Sequence, residues 1–373
     1  QWYDAYDRFL KEKGFDKAFP TVDDLTRSMG NVSFYYQGRI IENIRISNTV
    51  DAYAVNGWES MKLENHSGIV DNYRFPKGDP EVMARYNAPL YLAVKMNRKV
   101  VSTGDTTLVD TYIVNEKNLK GSYILNLVAK DESGNVVASH KERVTVKGGN
   151  DYGQCLQSGW AFIPKSKGYT RIEASLLKGK TELVKGDDLL FAVELNTTGI
   201  TTRGSVADTT GALVNFLRGV GMEVPVYKGG TPEGDYLLVG AYEPTQWGSG
   251  MSDIMEWVYK GHTLIIVDNP ERWAEFLADK EVLDYRGSKI LGKSWYGGNF
   301  FNREHPIFMN LPANSAFNWE YQCFATYNRR RIGLRCFNGE TLVGCVSDHK
   351  KEVYSALQVI PAGSGKVIIT TLD

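Results

Sequence analysis

The spacing of apolar residues changes twice along this chain, and one type of fold cannot satisfy both spacings. Between residues 88 and 198, apolar and polar residues alternate in short runs bounded by turn residues. Such alternation is typical of half-buried antiparallel strands. On either side of this region, apolar residues recur at helical spacing between strand-length apolar runs. Because a chain of 373 residues also exceeds what one hydrophobic core usually serves, two or three domains are expected.

The first part, residues 1–87, predicts helices that lead into one strand. A first helix should end at Gly14, a residue type that suits a left-handed cap, and a second should run to about Asn48. Residues 50–57 alternate and predict a strand. One strand with its helices cannot bury both faces, so the segment is expected to be the end of a larger domain. The start on a helical pattern, with neither Met nor a leader, leads us to expect that residues have been removed upstream.

The rest of the chain predicts two further domains. Residues 88–198 predict an antiparallel β-sandwich of immunoglobulin-like type. Beyond a Thr- and Gly-rich linker at 196–204, residues 199–373 alternate strands and helices, and Asp208 is a predicted helix N-cap. The expected strands are 223–227, 235–240 and 263–268, and the expected helices are about 251–260 and 270–279. This pattern predicts a doubly wound α/β domain with a mostly parallel sheet. The fold class is therefore multidomain, α/β plus all-β.

Composition excludes several functions. The formal net charge is −1 with no basic stripe, so nucleic acid is not an expected partner. The longest apolar runs, 189–195 and 263–268, fall short of the roughly 20 residues that span a membrane. The cysteines and histidines are scattered, so neither a metal site nor a cofactor is expected. Buried free thiols are the simplest expectation, and a Cys323–Cys336 or Cys336–Cys345 disulfide stays open for an exported protein.

Three stretches carry a resemblance to a known family. They are AYAVNGWESMKLENHSGIVDNYRFPKGDP at 52–80, HPIFMNLPANSAFNWEYQ at 305–322 and AGSGKVIITTLD at 362–373. Together with the domain order, they resemble the C-terminal part of family-2-type glycoside hydrolases of the β-galactosidase and β-glucuronidase group. The resemblance implies that residues 1–87 are the last helices and the eighth strand of a (β/α)8 barrel, a fold whose active site lies at the C-terminal ends of the strands.

The resemblance also implies a sugar site. Trp58 would form an apolar wall that stacks on the sugar, Asn56 and Glu59 would reach its hydroxyls, and His66 would lie in the loop above. Retaining glycosidases need two carboxyl groups about 5–5.5 Å apart. The family places that pair on strands that would precede residue 1, so no catalytic residue is expected in this chain.

The implied function is the C-terminal part of a glycoside hydrolase that acts on β-linked glycans, inactive by itself. Its partners would be carbohydrate and the remaining barrel and N-terminal domains, and a homo-oligomer stays open. A secreted or periplasmic location is implied by the resemblance alone.

Residues 199–373 resemble the glutamine-amidotransferase-like fold, whose working members carry a nucleophilic cysteine on a strand-to-helix elbow. Here the corresponding turn is Asp268, Asn269, Pro270 and Glu271, without cysteine. A structural role, in packing or oligomerisation, is expected.

Other interpretations remain open on the sequence. Glu59 could be a catalytic carboxylate only with a partner such as Glu64, and Trp58 could be ordinary core with Glu59 capping or on the surface. The chain could be a free-standing carbohydrate-binding or scaffolding protein that stacks sugars on the aromatic stretches 294–302 and 317–322, through Trp295 or Trp319. It could also be an α/β hydrolase that uses His305 and a cysteine. If residues 1–80 are the end of a barrel whose other strands lie outside this chain, exposed apolar side chains are expected within them.

Overall fold

The computed structural model describes residues 2–50, 52–55, 57, 68–71, 73–195, 197–247, 250–291, 300–325, 332–346 and 352–372. The helices in these ranges are α1 Trp2–Glu12, α2 Val22–Ser47, α3 Pro80–Tyr86, α4 Ala212–Gly219, α5 Gly250–Tyr259 and α6 Pro270–Asp279. The strands are β1 Leu90–Met96, β2 Val100–Ser102, β3 Thr107–Asn115, β4 Gly121–Lys130, β5 Val136–Val146, β6 Gly153–Phe162, β7 Gly168–Lys178, β8 Thr181–Val193, β9 Gly204–Ala207, β10 Tyr236–Val239, β11 Thr263–Ile266, β12 Tyr285–Ile290, β13 Phe300–Asn302, β14 Ile332–Cys336, β15 Glu340–Val346, β16 Val353–Ala362 and β17 Gly365–Thr370. Short 3-10 helices cover Pro244–Trp247, Pro306–Phe308 and Trp319–Ala325.

The chain divides into two compact units. The α/β unit comprises residues 1–28, 195–307 and 313–373, and the sandwich unit comprises residues 29–194 and 308–312. These units differ from the three predicted domains at 1–87, 88–198 and 199–373, because residues 1–28 and 29–87 belong to different units. The separation of an all-β region from an α/β region agrees with the predicted mixed, multidomain fold class.

The sandwich unit is built from two sheets. One has the strand order β1-β3-β6 and the other the order β2-β8-β7-β4-β5, and the pairs are antiparallel except for β2 with β8. Residues from both sheets share one buried cluster, in which Leu92, Val109, Leu125, Leu127 and Ile172 are fully buried. The alternation that the sequence shows therefore places every second residue of these strands between the two sheets.

Strand β1 is apolar along most of its length because both of its faces are covered. Leu92 and Val94 point into the core between the sheets, whereas Tyr91 and Ala93 belong to a second cluster with Phe34 and Met83 of the helices α2 and α3. A strand buried on both faces loses the apolar and polar alternation of a half-exposed one. Helices α2 and α3 thus cover the outer face of the β1-β3-β6 sheet.

The α/β unit contains a mixed sheet. Strands β9, β10, β11 and β17 are parallel neighbours, and the ladders that join β12, β14, β15, β16 and β17 are antiparallel. Apolar residues of the parallel strands pack with α5 and α6 around Trp273, which is fully buried. In α1 and the turn after it, Phe9, Phe15 and Phe19 surround the ring of Phe301 at centroid distances of 5.1–6.3 Å.

The expectation of a mostly parallel sheet is wrong for this unit. Strands β16 and β17 are joined by a tight hairpin whose turn contains Gly363 at φ +61°. A short connection can join antiparallel strands but not parallel ones, which need a crossover of a dozen residues or more. A glutamine-amidotransferase-like domain therefore stays a prediction.

Two predicted strands are not found. Residues 223–227 contribute only one isolated bridge, between Val206 and Val226. Residues 50, 52–55 and 57 lie outside every strand, so the strand predicted at 50–57 is wrong for these residues. A strand needs a neighbour that pairs its N–H and C=O groups, which alternation in sequence cannot supply. The other strands and helices predicted after residue 204 agree with the structure to within about two residues.

The predicted helix ends are confirmed for α1 and α2. Gly14 has φ +70° two residues after α1, and α2 ends at Ser47. Asp208 accepts hydrogen bonds from Thr210 N and Leu213 N, although the N-cap position of α4 is Gly211. None of the described helices combines the length and apolar character that a membrane crossing requires.

We predict that Gly186→Ala destabilises the sandwich unit by about 1–3 kcal/mol, because an added Cβ would lie 1.8 Å from the carbonyl oxygen of Leu92. The control is Gly219→Ala, where the new Cβ meets nothing within 4 Å and helix propensity favours Ala. Urea unfolding followed by far-UV circular dichroism measures both variants. Equal stability of Gly186→Ala and wild type would contradict the tight approach of β8 to β1.

Candidate functional site

The residues predicted to contact sugar, Asn56, Trp58, Glu59 and His66, lie outside the described residues, as does Glu64. What the structure does define is how the chain on either side of residues 51–67 is attached to the sandwich unit. Two flanks hold this segment. We call residues 45–55, whose end overlaps the segment, the leading flank, and residues 68–79 the returning flank.

The leading flank is tied to the sandwich through the last turn of α2. Arg45 is nearly buried and donates hydrogen bonds to the carbonyl oxygens of Tyr86 (2.6 Å) and Ala88 (2.8 Å) and to Glu116 (2.7 Å). Asn48 follows, and its side-chain amide exchanges two hydrogen bonds with the backbone of Gly153, at 2.6 and 2.7 Å. These bonds fix both the position and the direction in which the chain leaves α2.

Glycine permits this close contact. A Cβ at Gly153 would come within 2.5 Å of the Cα and O atoms of Ile46 in α2. Asn48 itself has φ +55°, which Asn tolerates better than most other non-glycine residues. Farther along, the hydroxyl of Tyr53 donates to Asn87 Oδ1 at 2.7 Å.

The returning flank is anchored at the other end of α2. The backbone N–H of Asp79 donates to Asn31 Oδ1 at 2.8 Å, and the carbonyl of Lys77 lies against Gly30, where a Cβ would approach it to 1.8 Å. Asp79 then caps α3 through its side chain, which accepts from Glu81 N. Both flanks of residues 51–67 are consequently attached to α2, and the leading flank is also attached to strand β6 of the sheet.

Helix α2 is held on the sandwich by buried charges, which we call the ionic cluster: Arg39, Glu42, Lys95, Lys99 and Asp188. The carboxylate of Glu42 is fully buried and contacts Arg39 (3.0 Å) and Lys95 (3.1 Å). Asp188 contacts Lys99 (2.5 Å) and Arg39 (3.3 Å). Arg39 thus joins the two carboxylates, one on the helix and one on strand β8.

Tyrosines complete the surroundings of the ionic cluster. Tyr91 donates to Glu42 at 2.5 Å, and Lys99 donates to the hydroxyl of Tyr35 at 2.7 Å. Burial raises the pKa of Tyr86 to about 12, and burial followed by nearby carboxylates raises the pKa of Tyr35 and of Tyr91. These phenols therefore stay neutral well into the alkaline range.

The pKa values of Arg39 and Lys95 shift in opposite directions in this cluster. Burial by itself would lower the pKa of Arg39, but the charges of Asp188 and Glu42 outweigh it and raise this pKa. For Lys95, burial and the neighbouring Arg39 lower the pKa in spite of Glu42. The ionic cluster is therefore organised around Arg39, whose charge Asp188 and Glu42 stabilise.

The strand-to-helix elbow of the α/β unit carries no cysteine. Strand β11 ends at Ile266 and α6 begins at Pro270, and Asn269 between them has φ 49° and ψ 45°. Tight elbows of this kind present a side chain at the carboxyl edge of a parallel sheet. The side chains at this elbow are an amide and a carboxylate, Asn269 and Asp268, so the geometry offers no thiol for amidotransferase chemistry.

The two buried cysteines have environments that disfavour the thiolate. Burial raises the pKa of Cys336 to about 12 and also raises that of Cys345. The nucleophile of a cysteine enzyme is the thiolate, which these environments disfavour. His305 accepts a hydrogen bond on Nδ1 from Ile307 N and so fixes a turn. All four cysteines are free, so neither disulfide forms.

The aromatic stretch 317–322 is interior. Phe317, Trp319 and Tyr321 are all buried, and the rings of Phe317 and Tyr321 stack at 4.1 Å. Trp319 consequently offers no exposed face for a sugar, and Trp295 lies outside the described residues. Within the described residues, no group of three His, Cys, Asp or Glu side chains could hold a metal ion.

Comparison with known proteins gives only partial likenesses. No protein-family model matches the sequence, and no curated protein matches it. A β-D-mannosidase from Dictyoglomus thermophilum is 14% identical over 48% of this chain and 23% of its own, with a TM-score of 0.32. A family 2 glycosyl hydrolase from Bacteroides cellulosilyticus is 13% identical over 52% of this chain and 34% of its own, with a TM-score of 0.23.

A small domain is also similar to part of the chain. It is a CARDB domain from Pyrococcus furiosus, 14% identical over 28% of this chain and 87% of its own, with a TM-score of 0.20. Of the two glycosidases, by contrast, this chain spans a third of the length or less.

We predict that Glu42→Gln destabilises the sandwich unit by about 3–5 kcal/mol, because it removes the buried counter-charge of Lys95 and one of the two carboxylates that contact Arg39. The matched control is Glu116→Gln, which removes a 45% exposed carboxylate from Arg45 and should cost less than about 1 kcal/mol. Urea unfolding at pH 7 compares the two. Similar losses in both variants would show that the ionic cluster does not fix α2.

We also predict that stability falls as the pH rises from 10 to 12. A phenol whose folded pKa lies above its unfolded value stabilises the protein fully below pH 10, and this stabilisation is lost between the unfolded pKa of 10.0 and the folded pKa of about 12. Each such tyrosine contributes a slope of about 1.4 kcal/mol per pH unit. Lys95 acts in the opposite direction, but only below its ordinary pKa of 10.5. Unfolding measured from pH 9 to pH 12 should show a shallower fall for Tyr86→Phe than for wild type.

Proposed function

We propose that this chain is the C-terminal accessory part of a glycoside hydrolase that acts on β-linked glycans. In this proposal residues 51–67 form one wall of the sugar pocket, with Trp58 stacking on a sugar ring and Asn56, Glu59 and His66 in reach of its hydroxyls. The pair of catalytic carboxyl groups belongs to the part of the longer enzyme that completes the barrel. The proposal rests on the resemblance carried by residues 52–80, 305–322 and 362–373.

One structural observation carries the proposal furthest: both flanks of residues 51–67 are attached to α2, and the leading flank is also attached to strand β6 of the sandwich. A pocket wall must hold a side chain to within a fraction of an ångström to orient a substrate. Arg45 and Asn48 fix the leading flank, and Gly30 and Asn31 fix the returning flank.

Exposed apolar residues near this segment give further support. Four apolar side chains are each at least 39% exposed: Ile40 on α2, Tyr53 in the leading flank, and Tyr73 and Phe75 in the returning flank. A barrel end is expected to leave such side chains open where other strands and helices of the barrel pack. The exposed apolar surface predicted within residues 1–80 is consistent with these four positions.

We predict that Trp58→Ala in the longer enzyme lowers kcat/KM on its β-glycoside substrate by roughly ten- to a hundredfold, through loss of ring stacking and orientation. Steady-state hydrolysis of aryl β-glycosides measures this. Phe216→Ala is the control, since Phe216 is a 61% exposed aromatic residue of the α/β unit that the proposal gives no role.

Two results would overturn the proposal. The first is hydrolysis of an aryl β-glycoside by the 373-residue chain itself that disappears in Glu59→Gln, which would place the catalytic carboxylate here. The second is an upstream reading frame that encodes no barrel. Unchanged activity in Trp58→Ala would remove the pocket wall from the proposal.

A further inference from the structure

A groove of about 590 Å³ lies on the outer face of the five-stranded sheet, in the sandwich unit alone. Its floor consists of outward-facing residues of β4, β7 and β8, and Arg85 of α3 lines it as well. The neighbouring residues in these strands, such as Leu127 and Ile172, point inward to the core between the sheets. The groove shares no residue with the flanks described above.

Its floor places two carboxylates directly opposite each other. The strand register pairs Glu173 of β7 with Asp187 of β8 on one side and with Val128 of β4 on the other. Like charges that face each other across strands destabilise a sheet. Departures from the rules of local stability occur most often where function requires them, and this one lies on the floor of the groove.

Cations hold the pair in place. Arg85 contacts Asp187 Oδ1 at 2.8 Å and donates to the carbonyl of Asp187, and Arg171 contacts the other carboxylate oxygen. Lys130 contacts Glu173 at 2.7 Å. The Arg85 guanidinium also lies 5.8 and 5.9 Å from the ring centres of Tyr86 and Tyr91, which restricts its orientation.

The charges that line the groove cancel. There are three cations and three anions, namely Arg85, Arg171, Lys185, Glu173, Glu182 and Asp187. An ionic ligand would have to break existing ion pairs, whereas a neutral polar ligand can add hydrogen bonds to them. Each carboxylate has about four acceptor positions and each guanidinium five N–H donors, so most of this capacity remains after the described contacts.

The next row of the floor supplies an amide and a hydroxyl beside the third cation. Asn126, Ser175 and Lys185 lie opposite one another in the register, beside the carboxylate row. An amide and a hydroxyl can each donate and accept. Sugar hydroxyls can also both donate and accept. A chain of sugars could therefore contact the row of Glu173 and Asp187 and the row of Asn126, Ser175 and Lys185 at the same time.

From this arrangement we propose that the groove is a second carbohydrate-binding site, for neutral oligosaccharides, on the outer face of the sandwich. Among the residues described around the groove none is aromatic, so binding depends on hydrogen bonds rather than ring stacking, and the dissociation constant is on the order of 1 mM. The site is independent of residues 51–67 and would stand even if the chain came from no hydrolase.

The test uses the 373-residue chain with soluble neutral β-linked hexasaccharides of glucose, mannose and galactose, and with hexagalacturonate as an acidic comparison. Saturation-transfer difference NMR and titration from 0.1 to 10 mM measure binding. We expect at least one neutral hexasaccharide to bind, and the binding to weaken at least fivefold in Arg171→Ala. Arg143→Ala, on the neighbouring strand β5 and outside the groove lining, should bind as wild type.

A second variant, Ser175→Tyr, fills the floor and leaves the ion pairs intact, so the test does not depend on the folding of Arg171→Ala. The proposal fails if both variants bind as wild type, if no neutral hexasaccharide binds below 10 mM, or if only hexagalacturonate binds. Trp58→Ala separates the two sites: loss of binding in that variant alone supports the pocket wall and overturns the groove. Weaker binding in Arg171→Ala and Ser175→Tyr with unchanged binding in Trp58→Ala supports the groove and gives the pocket wall no support.

Discussion

The attachment of α2 to the sandwich depends on Arg39, which joins Glu42 on the helix to Asp188 on strand β8. Two carboxylates cannot be buried without cations, and separating these groups would leave a charge in an apolar surrounding. The ionic cluster therefore permits one seating of the helix on the sheet rather than a range of apolar packings. From this seating follow the positions of Arg45 and Asn48 at one end of α2 and of Gly30 and Asn31 nearer the other. The position of α2 on the sheet therefore sets the positions of the two flanks of residues 51–67.

The α/β unit combines parallel strands with a strand-to-helix elbow that carries no cysteine. Parallel strands, a tight elbow at Asn269 and a helix that begins at Pro270 are the parts that position a nucleophile in other proteins. Here the elbow carries an amide, and the buried thiols of Cys336 and Cys345 lie on antiparallel strands with raised pKa values. The aromatic packing around Phe301 shows that residues 9–19 contribute to the interior of this unit.

Much of the fold could be predicted because it follows from local spacing. The alternation in β4 and β7 predicts their inward and outward faces, Gly14 predicts the end of α1, and the helix pattern places the end of α2 within one residue. The strand predicted at 50–57 is wrong for the described residues there. Alternation alone cannot decide whether a strand forms, since pairing depends on residues distant in sequence. Likewise the antiparallel half of the large sheet follows from short returns such as the turn at Gly363, which apolar spacing does not distinguish from crossovers.

The sequence by itself determined the change of period near residue 88, the division into all-β and α/β regions, and the absence of cysteine from the elbow, because each is a property of neighbouring residues. Only the tertiary structure decided that Arg39 joins Glu42 to Asp188, nearly 150 positions further along the chain, and that Glu173 faces Asp187 in a groove. Charges carry no periodic signal in a sequence, and the partner of each is chosen by the register of strands and the seating of a helix, which depend on the whole core.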